Sequence, residues 1–303
     1  HLLGLFSSFN SDGVEAVDFY KSGFPARYGG RMSSVVDVKT REGDFNKYHG
    51  LFSIGLLDGR LQFEGPIWKD RTSFNIGLRR SWIDVLAEPI CLVISALEES
   101  KFRVKYAFWD LNANVTHKFS DSNKLALNLY GGRDAAKLIA GNDRQPSDDY
   151  SSKYMTRWGL EWGNFVASLD WDYKFASNHE TSLKAYYTLY DSLFGLNDEG
   201  QTISRDIDDG TLIRDEEYYS STGNKSRTSD VGLKADFSYR PVENHHLRYG
   251  ASLKYHFYIP VSYSVKNDKL GGETIFEEDK SQSAPRQSFE SALYIEDEMS
   301  LTD

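Results

Sequence analysis

The chain has 303 residues, with 35 Lys and Arg against 45 Asp and Glu, and this net charge of −10 argues against a nucleic-acid-binding protein. A single cysteine excludes a disulfide scaffold and a paired-cysteine metal site. The mean hydropathy is −0.54, and the longest nearly apolar run, 90–97, is far shorter than the ~20 residues of a transmembrane helix. A soluble all-β protein and an outer-membrane β-barrel both remain, because a transmembrane strand needs only about 10 alternating residues.

Residues 1–43 do not follow the strand rhythm of the rest of the chain. The stretch 11–21 predicts a turn or short helical start and then a strand. A loop rich in Gly and Pro covers 23–31, and 32–40 predicts a second strand that 41–43 closes. The chain begins at His1 and stops at Asp303 without polar tails or the segments of a signal peptide. We therefore expect an internal segment of a longer protein, with a trimmed mature domain as the alternative.

From about Tyr48 onward the apolar period is two residues, which is typical of strands with one apolar face. Asp58 and Gly59 give a two-residue hairpin signal after the first of these strands. The pattern predicts about ten strands, at 48–56, 60–64, 73–79, 102–115, 124–129, 158–175, 183–189, 230–239, 247–257 and 289–301.

Two of these strands change the parity of their apolar residues partway. In the first strand the apolar residues occupy even positions from Phe102 to Phe108 and odd positions from Leu111 to Val115. In the second they occupy even positions in 158–162 and odd positions in 165–175. A β-bulge would produce this change. A strand that leaves a membrane belt and continues into solvent would produce it as well, and the sequence does not choose between them.

Short and long connections alternate strictly along the chain. The short ones are 68–71, 120–123, 176–179 and 241–244, and the long ones are 84–101, 134–152, 193–226 and 259–286. An up-and-down barrel with short periplasmic turns and long extracellular loops gives this order, whereas a soluble sandwich keeps most connections short. Tyr and Trp gather toward strand ends, as in an interfacial girdle.

The segment 14–43 carries a resemblance to a known family. A strand is followed by a loop with Tyr28-Gly29-Gly30 and then by a strand ending Val38-Lys39-Thr40. This order resembles the end of the plug domain of TonB-dependent outer-membrane receptors. The stretches FPARYGGRMSSVVDVKTREG and GPIWKDRTSFNIGLRRSWIDVL are most similar to receptors of the Bacteroidota. The resemblance covers the whole chain, but departs from the commoner pattern at Lys21 and Ser22, where many members have Arg-Gly.

The resemblance implies an all-β fold with two parts. The expected parts are the C-terminal remnant of a plug domain at 1–43 and the N-terminal portion of an antiparallel transmembrane β-barrel at 44–303. The barrel is partial, with about ten of an expected ~22 strands. Ten strands enclose no room for a plug, and an open sheet in lipid leaves edge groups unpaired, so we expect further strands outside this chain.

The resemblance also implies a function and partners. It implies a receptor and transporter, not an enzyme, in the outer membrane of a Gram-negative cell. Such a receptor imports a scarce ligand (siderophore, cobalamin, glycan or peptide) by energy-driven displacement of the plug. The implied partners are the TonB–ExbB–ExbD complex, through a TonB box upstream of His1, outer-membrane lipid and the imported ligand. A surface lipoprotein is an optional partner, and neither a cofactor nor nucleic acid is expected.

The first candidate site is a contact between plug and barrel. Glycines allow close backbone approach where the plug meets the wall, and two arginines either pair with lumen carboxylates such as Glu64, Asp170 or Asp236 or only solvate the loop. The residues of this candidate contact are Arg27, Tyr28, Gly29, Gly30 and Arg31.

Two further candidates lie in the long connection 193–226. Tyr218 and Tyr219 are candidates for stacking on a ligand, since exposed loop aromatics are often functional. The acidic residues Asp206, Asp208 and Asp209 form a weak cation candidate, but the EF-hand register fails. We therefore favour a solvated loop there and predict no metal site.

Two other classes of protein stay open. A soluble all-β carbohydrate-binding or glycosidase domain would show two carboxylates at a fixed separation in a cleft. A self-contained ten-stranded barrel with a catalytic or adhesive role is the other. The sequence contains no nucleophile elbow, paired-histidine zinc motif, phosphate loop or dinucleotide fingerprint.

Overall fold

The computed structural model describes residues 10–21, 23–30, 34–147, 150–206, 208, 210–270, 273–282 and 284–300. Near the N-terminus, β1 (Val14–Tyr20) pairs antiparallel with β2 (Val35–Thr40). Single 3₁₀ turns occur at Ser11–Gly13 and at Ala26–Tyr28. The two strands predicted in this part of the chain are therefore confirmed, and they form a separate two-stranded sheet.

The rest of the chain forms one large antiparallel sheet, which confirms the all-β class. From β3 to β12 each strand pairs with the next one in sequence, β13 pairs with β11, and the described strands number 11. Because β12 and β13 pair with successive parts of β11, they occupy ten lateral positions, as predicted. The strands are β3 (His49–Ile54), β4 (Asp58–Trp68), β5 (Thr72–Ser81), β6 (Lys101–Ser120), β7 (Asn123–Ser147), β8 (Tyr150–Ala176), β9 (His179–Arg205), β10 (Leu212–Tyr239), β11 (His245–Leu270), β12 (Glu273–Gln282) and β13 (Arg286–Met299).

The sheet is open within the described residues. Its edges are β3 on one side and β12 with β13 on the other, and they do not pair with each other. The short turns after β4, β6, β8 and β10 lie where the sequence predicted them.

The four long connections predicted from the sequence are not loops over their whole length. Three of the four long connections are continuations of the strands themselves, so that β8, β9 and β10 reach 27, 27 and 28 residues. The hydrogen-bonded pairing of the strands continues through these regions, because backbone N–H and C=O groups that keep a cross-strand partner need no hydrogen bond from water. Sequence periodicity missed these extensions because their apolar residues are sparse and change face.

The first hairpin also turns earlier than predicted. Asp58 and Gly59 are the first residues of β4, and the turn lies at 55–57, closed by a hydrogen bond from Gly55 N to Asp58 O at 2.8 Å. Gly59 is required for a different reason, because a Cβ there would meet the Trp82 ring at 2.5 Å.

The remaining long connection is a helix, α1 (Ile83–Leu97), and not a loop. Pro89 lies inside it, and Pro and β-branched residues disfavour helices, so the local sequence concealed it. The pairing of β6 with β5 ends at Trp109 of β6. From there toward Lys101 the helix covers the edge of β6. Among the described residues no helix is long and apolar enough to cross a membrane.

The two faces of the large sheet differ, and we name them by their contacts. The inner face contacts the N-terminal segment (residues 10–43), and the outer face is the opposite one. Directly opposed residues on paired strands share a face, so the pairings define rows across the sheet. Three consecutive outer rows are almost wholly apolar, and we call them the apolar belt. They are Phe74, Val115, Leu127, Leu169, Ala185, Leu233 and Leu253; Ile76, Ala113, Leu129, Ala167, Tyr187, Val231 and Tyr255; and Leu78, Leu111, Gly131, Phe165, Leu189, Ser229 and Phe257.

The belt ends at a row of charged residues. The next outer row, on the side away from the short turns, contains Arg80, Arg133, Asp191 and Arg227. Beyond this row the outer positions of β6 and β8 are mostly charged residues or glycine, and their inner positions become apolar. The pairing of β6 with β7 is uninterrupted from Lys101 to Lys118. Since no register shift falls where the parity changes, a β-bulge is excluded, and the apolar side chains change face along regular strands.

Candidate functional site

The N-terminal segment lies against the inner face of the sheet and spans most of its width. Arg60 of β4 donates to the Ser11 hydroxyl at 3.2 Å, and Thr40 donates to Asn128 of β7 at 2.8 Å. The backbone N–H of Ala26 donates to Glu296 of β13 at 2.8 Å. These contacts are polar because the inner face near the short turns presents charged and amide side chains.

The loop around Tyr28 is the part of the segment that the sequence singled out. The Tyr28 hydroxyl donates to Asp37 at 2.5 Å, and burial together with this bond raises the pKa of Tyr28 well above its usual value. The Arg27 guanidinium lies over the Tyr28 ring, 4.9 Å from its centroid, and Lys234 of β10 lies 5.7 Å from the same centroid. Tyr28 therefore packs between its own loop and the sheet.

The other predicted contact residues are less informative. Gly29 follows the 3₁₀ turn in extended backbone, and Gly30 has φ +77°, which favours glycine. Arg31 lies outside the described residues. Among those that are described, the expected carboxylate partners of Arg27 bind other cations: Glu64 pairs with Arg41, Asp170 with Lys184, and Asp236 with Lys234.

A second group of contacts, at the end of β2, was missed by sequence reasoning. Arg41 Nη2 lies 2.8 Å from the nearly buried carboxylate of Glu64 on β4. Lys124 of β7 lies 2.6 Å from Glu42. Periodicity does not find such pairs, because ion pairs between distant residues leave no local pattern. They fix the point where the N-terminal segment leaves the inner face to enter β3.

A polar cavity of about 860 Å³ lies between the N-terminal segment and the sheet, close to the short turns. The segment contributes Tyr28, Asp37 and Glu42, and the sheet contributes side chains of both charges, including Lys184 and Arg248. Most of these charges are paired with a neighbour, so the lining is balanced and hydrophilic. Such a cavity accommodates water and polar solutes, and no single charge sign dominates it.

The inner face farther from the short turns has a different character, and we call this surface the neutral wall. It comprises the inward positions of 158–164 on β8, 190–196 on β9, 222–228 on β10 and 258–264 on β11. None of these sixteen positions holds Asp, Glu, Lys or Arg. Aromatic rings, hydroxyls and amides take their place. The sequence indicated it only through Trp158, Leu160 and Trp162, and most of the other positions fell in the predicted long connections.

The predicted ligand-stacking tyrosines lie on β10 and not in a loop, which corrects that prediction. Because neighbouring residues of a strand point to opposite faces, Tyr218 and Tyr219 cannot stack on one ligand together. Tyr218 shares the parity of the inner face and lies across Gly200, where a Cβ would meet its ring at 2.2 Å. Tyr219 shares the parity of the outer face.

The acidic candidate lies in the hairpin turn between β9 and β10. The Asp206 side chain accepts the N–H of Asp208 at 2.8 Å, and its backbone N–H donates to Thr211 O at 2.7 Å. Asp209 lies outside the described residues. Asp206 thus stabilises the turn itself, and the part of the chain that the structure describes contains no cluster of His, Cys, Asp and Glu able to hold a metal ion.

Two comparisons of this chain with known proteins found no match. No protein-family model matches it, and no curated protein matches it.

Proposed function

We propose that the chain is the plug end and first half of the barrel of a TonB-dependent receptor in a Gram-negative outer membrane, which imports a scarce ligand. The observation that carries the proposal is the exposed apolar belt on the outer face. Val231 and Leu233 are 56% and 55% exposed, and Leu253 is 45% exposed. Contiguous exposure of this kind marks an interaction with a membrane or another protein.

On β8 the apolar outer positions continue beyond the three rows of the belt toward the short turns, and the length of this stretch supports lipid as its neighbour. On β8 the outward residues from Phe165 to Phe175 are all apolar, which is about 33 Å along a strand at ~3.3 Å per residue. A strand tilted by about 40° then crosses about 25 Å, which is the usual height of the apolar band. Near the short turns, Trp171 stacks on Tyr173 and Tyr173 contacts Phe175 edge to face, as expected for an aromatic girdle.

The N-terminal segment supports the assignment of a plug. It lies on the polar inner face and is attached through hydrogen bonds and ion pairs such as those of Arg41 and Glu42. The pair of Lys124 with Glu42 is partly exposed, and exposed ion pairs are individually weak, so a mechanical pull can break it. The open edges at β3 and β13 support further strands in the full-length receptor, because unpaired backbone groups are costly in lipid.

Site-directed spin labelling of the full-length protein in outer-membrane vesicles tests the proposal. Labels are placed at Leu253 and at its neighbour Ser252, whose side chains belong to the outer and inner faces, in a Cys91→Ser background. We expect position 253 to respond to oxygen dissolved in lipid and position 252 to respond to an aqueous nickel complex.

Recovery of the full-length protein in the soluble fraction without detergent would contradict the proposal. That outcome would favour a soluble all-β carbohydrate-binding or glycosidase domain. Equal access of the aqueous nickel complex to both labels would contradict it as well.

A further inference from the structure

We infer that the neutral wall binds an uncharged, polyhydroxylated ring compound, that is, a neutral oligosaccharide. The inference deepens the proposed function, on which it rests for its location inside a lumen. The chemistry of the ligand is argued from the side chains of the wall alone.

The first argument is the distribution of charge on the two faces. At the level of the neutral wall the outer face holds Glu161, Asp191 and Arg227, whereas the sixteen inward positions hold no charge. Charged residues return on the inner face at Asp230 directly below, at Asp198 and Lys266 directly above, and at Asp134 on the neighbouring β7, opposite Trp162. An ionic ligand needs opposite charges to offset its desolvation. The wall offers none, so it disfavours anionic chelates and charged peptides relative to neutral ligands.

The second argument is the presence of aromatic rings that are open to a ligand. Tyr190 and Tyr258 are 40% and 37% exposed on the inner face, and Trp162 lies one row farther from the short turns. Phe194 packs edge to face on Trp158, with 6.2 Å between the ring centroids. Such rings supply large, rigid contact surfaces at a low cost in side-chain entropy. They match the flat apolar faces of sugar rings.

One part of the neutral wall packs against a buried hydrophobic cluster, and another part does not. Trp158 and Leu160 pack against the buried cluster of Tyr106, Phe108 and Ala136. This cluster lies beside α1, which fixes one margin of the wall. Trp162 and Tyr190 are outside that cluster; Trp162 is half-buried, and the 40% exposed ring of Tyr190 is available for stacking.

The third argument is the chemistry of the polar groups between the rings. Ser192, Ser226 and Thr228 present hydroxyls, and Asn224 presents an amide, on rows next to the aromatic residues. A hydroxyl both donates and accepts, and an amide offers both kinds of group. Sugar hydroxyls have the same dual character, so the wall complements them without needing charge.

Binding of labelled neutral oligosaccharides to the purified full-length receptor tests the inference. The probes are gluco-, xylo-, manno- and galacto-oligosaccharides, with a ferric catecholate chelate and a basic peptide as charged competitors. We expect at least one neutral oligosaccharide to bind. Trp162→Ala and Tyr190→Ala are each expected to weaken that binding about tenfold, the loss of about one stacking contact. The outward Tyr187→Ala is the matched control and should leave it unchanged.

Three results would overturn the inference: no binding of any neutral oligosaccharide, binding unaffected by both wall variants, or displacement by the charged probes at equal concentration. A receptor that is embedded in the membrane and imports only a charged ligand would overturn the inference and leave the proposed function standing. A soluble protein that binds an oligosaccharide through Trp162 would overturn the proposed function and leave the assignment of the ligand standing.

Discussion

The backbone N–H of Ala26 donates to Oε2 of Glu296 at 2.8 Å, which joins two residues that are 270 positions apart. The other carboxylate oxygen of Glu296 lies 3.3 Å from Arg248 on β11. Glu296 is therefore held by the sheet while it holds the loop of the N-terminal segment. This arrangement makes Glu296 a tether whose removal frees the loop without disturbing the fold.

The first prediction concerns this tether. Glu296→Ala should increase hydrogen exchange of the amides in 23–30, because the loop loses its bond to β13. The free energy of unfolding should change by no more than about 1 kcal/mol, since partly exposed ion pairs contribute little. Hydrogen-exchange mass spectrometry of the full-length protein measures the effect.

The control for this variant is Glu290→Ala. Glu290 lies on the same strand and face and pairs with Lys254 at 3.0 Å, away from the Tyr28 loop. If both variants change exchange in 23–30 equally, Glu296 does not act as a specific tether.

The second prediction concerns a buried ion pair. Arg79 Nη2 lies 2.6 Å from Asp110 Oδ2, with side chains that are 3% and 0% exposed. Asp110→Asn removes the carboxylate charge that lies 2.6 Å from the buried guanidinium. We expect a loss of about 3–5 kcal/mol in the free energy of unfolding, measured by urea titration in detergent.

The matched control is Glu180→Gln, which removes one partner of the exposed pair with Lys174. This change should cost less than about 1 kcal/mol. Similar losses in the two variants would show that burial does not determine the effect.

Much of the sheet could be predicted from the sequence, and the reason is local. In strands such as 165–175 the alternation continues for more than ten residues, so period and face are both readable. The extensions of β8 to β10 could not be predicted in this way, because polar residues occupy both faces of some stretches. Helix α1 could not be predicted either, since its formation depends on contacts with β6 and not on helix propensity.

The candidate site was less accessible to sequence reasoning. The Tyr28 loop stood out through its glycines and its resemblance to a plug. The neutral wall did not, because its defining property is the absence of charge across four paired strands. Only the register brings Trp162, Tyr190 and Thr228 together on one face, and no local pattern in the sequence contains that information.

The third prediction concerns the edge of β6. The Ser95 hydroxyl accepts the N–H of Phe102 at 2.9 Å and donates to the carbonyl of the same residue at 3.0 Å. Ser95→Ala leaves both backbone groups without this partner, which should cost about 1–3 kcal/mol. Increased hydrogen exchange of the Phe102 amide would report the local effect.

Cys91→Ser is the control for that prediction. The Cys91 sulfur accepts the N–H of Val104 at 3.3 Å, and a serine hydroxyl can accept the same bond. We expect this variant to lose less stability than Ser95→Ala. An unchanged Phe102 amide in Ser95→Ala would contradict the view that α1 covers the strand edge through side-chain hydrogen bonds.

The last prediction concerns acid and the turn that connects β2 to β3. The amide of Asn46, the His49 side chain and the amide of Lys47 lower the pKa of Asp44 from 3.8 to about 2. A carboxyl whose pKa is lower in the folded state stabilises that state at pH values above the pKa it has in the unfolded chain. This stabilisation is lost as the pH falls and the carboxyl binds a proton. The turn should therefore be fully ordered above about pH 4. It should loosen between that pH and about 2, as seen in the amide exchange of Asn46 and Lys47. In Asp44→Asn this pH dependence should vanish, because the side chain no longer titrates, and its persistence there would assign the effect to another group.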